Sequence, residues 1–104
     1  MTKQEHLLTC LSEECAEVIK ANSKILRFGL HKENYYDGET SVPCDHDRNE
    51  TELRIEYSQL IAVADVLAES GVGIYLDEEA YLAKREKLTR MMEYSQSVGT
   101  LDKQ

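Results

Sequence analysis

Apolar residues recur at helical spacing in three stretches of the chain, separated by two breaks. The first stretch is "HLLTCLSEECAEVIKANSKILRF", in which Leu7, Leu11, Val18, Ala21 and Ile25 share one face, predicting one long helix. Thr2 followed by Glu5 has capping-box spacing at its start, and Gly29 is suited to close it. From about residue 30 to residue 48 the pattern is lost. "HKENYYDGETSVPCDHD" is polar, carries Gly38 and Pro43, and predicts an irregular connection. The helical pattern resumes at Asn49, a cap residue with Glu52 three positions on, and "ETELRIEYSQLIAVADVLAES" reaches Gly71. Asp77 caps a third helix, with Glu78 and Glu79 in its positive first turn, and this helix runs to about Gly99 before a tail over 100–104. The fold expected is all-α: an antiparallel bundle of three to four helices forming a single domain over 1–104.

Composition sharpens that picture. With no Trp and one Phe, the core falls to Leu, Ile, Val, Ala and Met. A chain of 104 residues buries a modest share of its surface, so completion of the bundle by oligomerisation is expected. Twenty acidic residues against twelve basic ones give a net charge of −8, which lacks the basic footprint that nucleic-acid backbone requires. No apolar run approaches the roughly 18 residues of a membrane span, and no signal peptide is visible. Cys10, Cys15 and Cys44 are odd in number and form no CxxC, which reads as reduced thiols in a cytoplasmic protein.

The acidic residues are not all on solvent faces. At about 100° per residue, with Glu14 at zero, Leu7 and Ile25 lie near 20°, Val18 near 40° and Leu11 near 60°. Glu14 is thus at the centre of the apolar stripe, and Glu17, about 60° away, is at its edge. The second helix repeats the arrangement: Leu53, Leu60, Val63 and Leu67 all fall within about 60° of Glu56. Carboxylates converging from two helices require something cationic between them. A donor set of hard oxygens, without Cys or His, suits Mg²⁺ or Mn²⁺.

"EECAE" followed by the acidic helix "EYSQLIAVADVLAE" resembles the MazG-like all-α nucleoside triphosphate pyrophosphohydrolases, whose pattern is EExxE, a spacer, then ExxD on the next long helix. The resemblance covers nearly the whole chain. The first half matches fully at Glu13, Glu14 and Glu17. In the second, Glu56 matches, but Gln59 stands where the family has Asp, and the spacer is longer than usual. The resemblance implies hydrolysis of a (deoxy)nucleoside triphosphate to a nucleoside monophosphate and pyrophosphate. It implies Mg²⁺ or Mn²⁺ held by Glu14, Glu17 and Glu56, with Gln59 offering at most a neutral oxygen, and Glu13 serving the attacking water. It further implies a homodimer or homotetramer in a bacterial or phage-infected cytoplasm. "SKILRFG" is similar to phage-encoded members acting on purine deoxynucleotides, which points to dGTP or dATP. The same superfamily holds phosphoribosyl-ATP and dUTP pyrophosphatases. The Gln59 departure leaves open a different class, a non-catalytic helical module that oligomerises or binds a partner.

Three cations are candidates for substrate phosphates. Lys24 follows Glu17 by two turns on the same side, where it is either a phosphate ligand or an exposed lysine near a helix end. Lys84 and Arg85 share a side of the third helix with Tyr81, Leu88 and Met92; they reach phosphates from a neighbouring subunit or snorkel over an apolar seam. In the connection, Cys44 and His46, with His31, offer a weak zinc pattern without a second Cys/His pair. Tyr35 and Tyr36 there are candidates for base stacking or for plain packing.

Overall fold

Thr2 opens the first helix as its spacing predicts. In the computed structural model, which describes residues 1–30, 34–36, 38, 41–43 and 48–102, α1 spans Lys3–Phe28. The Thr2 hydroxyl accepts from the Glu5 backbone N–H at 3.1 Å, and Glu5 Oε2 accepts from the Thr2 N–H at 3.4 Å, so the capping box is reciprocal. At the other end Gly29, at φ +95°, turns the chain and donates its N–H to the Ile25 carbonyl at 2.7 Å.

The connection departs from the irregular segment expected over 30–48. Strands β1 (Asn34–Tyr36) and β2 (Ser41–Pro43) pair antiparallel, with Tyr35 opposite Val42 and Gly38 at φ +107° between them. Tyr and Val favour extended backbone, but strands of three residues are too short to show a period. Cys44, His46 and His31, the weak zinc pattern, lie outside the described residues.

Helix α2 spans Arg48–Glu69, so Asn49 is inside the first turn and is not the cap its type suggested. Asn49 is buried, and its Nδ2 donates to the Gly29 carbonyl at 2.7 Å. A carbonyl just past a helix end lacks an intrahelical partner, and satisfying it from a buried amide explains why this asparagine turns toward α1. At the opposite end of the pair, Gln4 Nε2 donates to the Ser70 carbonyl at 2.8 Å. These two ties run α1 and α2 antiparallel.

The seam between the two helices is the one the apolar pattern predicts. Leu7, Leu11, Glu14, Val18, Ala21, Ile25 and Phe28 on α1 are half-buried or buried. So are Asn49, Leu53, Glu56, Leu60, Val63 and Leu67 on α2. Their alternating three- and four-residue spacing is that of helices packed side by side along a narrow stripe. Ala21 and Leu67 are the apolar residues among the described ones that reach full burial.

The chain forms two compact units, Met1–Ile74 and Tyr75–Gln104. The second is built on α3, Glu78–Ser97, capped as expected by Asp77, whose Oδ1 accepts from the Ala80 N–H at 3.0 Å. The architecture is all-α, with three helices and one short strand pair among the described residues. No helix among those residues is long and apolar enough to cross a membrane.

Candidate metal and phosphate site

Glu14 and Glu56 occupy seam positions on facing helices, where their neighbours one turn away are Leu11, Val18, Leu53 and Leu60. Both carboxylates keep one oxygen, Oε2, buried without a hydrogen-bond partner. A buried acceptor left unsatisfied costs on the order of 1–3 kcal/mol, and more when it is charged. Neither helix can supply the missing donor, because its backbone N–H groups are committed to its own turns.

Beside this seam lies a cleft of about 230 Å³ lined by Glu17, Lys20, Ala21, Lys24, Glu52, Ile55 and Glu56. Its α1 wall follows from spacing: Glu17, Lys20 and Lys24 are three and four residues apart and project to one side. Its α2 wall is Glu52, Ile55 and Glu56, again one turn of helix. Lys24 Nζ donates to Glu52 Oε2 at 3.4 Å across the cleft, and Arg48 Nε lies 3.5 Å from Glu52 Oε1. The cleft therefore combines carboxylates with ammonium groups, the two charge types needed to hold a cation together with the anion it accompanies.

The expected residues divide as follows. Glu17, Glu56 and Lys24 share the cleft. Glu14 lies in the seam with its orphaned oxygen. Glu13 and Gln59 are exposed, and neither lines the cleft. Lys84 and Arg85 are exposed on α3, where Arg85 donates to the Tyr81 hydroxyl at 3.2 Å and stacks 5.7 Å from that ring's centre. Two charged cleft residues, Lys20 and Glu52, were not among the expected site residues. Their signal was spacing: Lys20 is three residues from Glu17, and Glu52 is four from Glu56.

The donor chemistry at the seam and cleft is that of hard oxygen ligands. The available donors are carboxylate oxygens, and the buried Oε2 atoms of Glu14 and Glu56 lack a hydrogen-bond partner. Among the described residues no three His, Cys, Asp or Glu side chains gather around one point. Mg²⁺ asks for less than that, since it commonly binds through one or two carboxylates and completes its shell with water and phosphate oxygens. Comparison with protein-family models, curated proteins and solved structures gave no match to this chain.

Proposed function

We propose that this protein is a Mg²⁺- or Mn²⁺-dependent pyrophosphohydrolase that converts a (deoxy)nucleoside triphosphate to its monophosphate and pyrophosphate. The observation that carries the reading is the pair of buried, unpartnered carboxylate oxygens on Glu14 and Glu56, set beside a cleft that also presents Lys20 and Lys24. The resemblance of "EECAE" and the Glu56 helix to the MazG-like pattern supplies the reaction class.

In this reading Glu14 and Glu56 would hold the cation through their unpartnered oxygens, with water and phosphate oxygens completing its shell, and Glu17 would stand beside them on the cleft wall. The metal supplies charge neutralisation for the polyphosphate and its leaving group. Lys24 and Lys20 bind phosphate oxygens and orient the chain of phosphates along the cleft. Glu13, exposed one turn before Glu17 on α1, is the candidate to take the proton of the attacking water. Gln59 carries no step, which makes the departure from ExxD compatible with turnover.

A second copy of the chain completes the assembly. Leu8, Ser12, Cys15, Ile19, Asn22 and Leu26 form an exposed stripe on α1 at alternating four- and three-residue spacing. A second copy packed through this stripe would cover Ile19 and Leu26, the most exposed apolar side chains along it.

The deciding measurement is pyrophosphate release from dGTP, dATP, dUTP, phosphoribosyl-ATP and the remaining nucleoside triphosphates, with Mg²⁺ or Mn²⁺. Release that depends on the metal and falls at least about a hundredfold in Glu14→Gln is the expected result. Absence of pyrophosphate from every nucleotide would reject the reading and favour the non-catalytic module.

A further inference from the structure

Glu52 stands on the cleft wall among groups assigned to metal and phosphate, yet its contacts are with cations of the protein itself. Oε2 accepts from Lys24 Nζ at 3.4 Å, and Oε1 faces Arg48 Nε at 3.5 Å. Both separations are long for charge-assisted hydrogen bonds, which close to about 2.7–2.9 Å when strong. The Lys24 and Glu52 side chains also remain 45% and 32% exposed, so water weakens their attraction. The ammonium is thus held, but lightly, and it is held where the cleft is open.

We infer that Glu52 is a displaceable counter-charge: it keeps Lys24 over the cleft in the free protein and yields it to a polyphosphate oxygen when ligand binds. Arg48, one turn back on α2, retains the Glu52 carboxylate after Lys24 leaves. A phosphate oxygen outcompetes the carboxylate because a polyphosphate carries more charge and more acceptors to share between Lys20 and Lys24. By competing with the ligand for Lys24, Glu52 weakens ligand affinity and hastens pyrophosphate departure. It is a positioning residue acting through Lys24. The inference rests on the reading of this cleft as a phosphate site.

The test is calorimetric binding of inorganic pyrophosphate, with Mg²⁺ present, to the full chain and to Glu52→Gln, Lys24→Met and the double variant. Glu52→Gln should bind about two- to five-fold more tightly, the range set by an ion pair of this exposure. With nucleotide, its KM should fall by a similar factor without a rise in kcat. In the Lys24→Met background the same change should gain nothing, because the group through which Glu52 acts is gone. Equal tightening in both backgrounds would mean general charge repulsion and would overturn the inference. So would unchanged or weaker binding in both Glu52→Gln and Glu52→Ser, or no pyrophosphate binding by the unaltered protein. A protein that showed the predicted binding pattern but hydrolysed no nucleotide would keep this inference and lose the pyrophosphohydrolase reading.

Discussion

An oxygen that accepts nothing inside a helix seam is a stability defect unless it has another use, and Glu14 and Glu56 each carry one. This gives a prediction with a definite sign. In chelator, Glu56→Leu should unfold at higher urea than the unaltered protein, with a gain of about 1–3 kcal/mol as an unsatisfied acceptor is replaced by apolar surface. Adding Mg²⁺ should raise the midpoint of the unaltered protein, since a ligand of the folded state stabilises it, and leave the variant unmoved. A variant no more stable than its parent would remove the argument for a strained site. The positions of these two glutamates were legible in the sequence because one helix's own periodicity fixes which side chains face inward. Glu52 was not legible in the same way. Its partner Lys24 is on the other helix, and pairing between helices depends on their register, which neither sequence pattern contains.

Helix ends show the same division between local and non-local information. Thr2 and Asp77 cap α1 and α3 as their types and spacing indicated, because a cap is settled within four residues. Thr2→Ala should cost about 0.5–2 kcal/mol, read from denaturant midpoints at constant slope. Asn49 had the letter of a cap and a different use, since its amide reaches the Gly29 carbonyl twenty residues away. Asn49→Ala should therefore exceed an ordinary cap deletion, at about 2–3 kcal/mol, because it strands a part-buried carbonyl. A loss no greater than that of Thr2→Ala would show that water replaces the amide. The strand pair Asn34–Tyr36 with Ser41–Pro43 was missed for the opposite reason: it is local, but too short for any alternation to register.

For the molecule as a whole, the seam of α1 and α2 brings only two apolar residues, Ala21 and Leu67, to full burial among the described residues. Ile19 and Leu26, on the outer stripe of α1, are 66% and 79% exposed. If a second copy covers them, Ile19→Glu should shift the sedimenting mass toward that of one chain. The unaltered protein should also melt at a temperature that rises with its concentration. Concentration-independent melting at monomer mass would remove the dimer. The last consequence concerns the connection between α1 and α2. Because Asn49 ties the base of that segment to Gly29, and Gln4 ties the far end of the pair to Ser70, the helix register does not depend on the segment's length. A short Gly/Ser graft across 31–47 should therefore leave these two ties and the carboxylate seam between them in place, seen as an unchanged rise in urea midpoint on adding Mg²⁺.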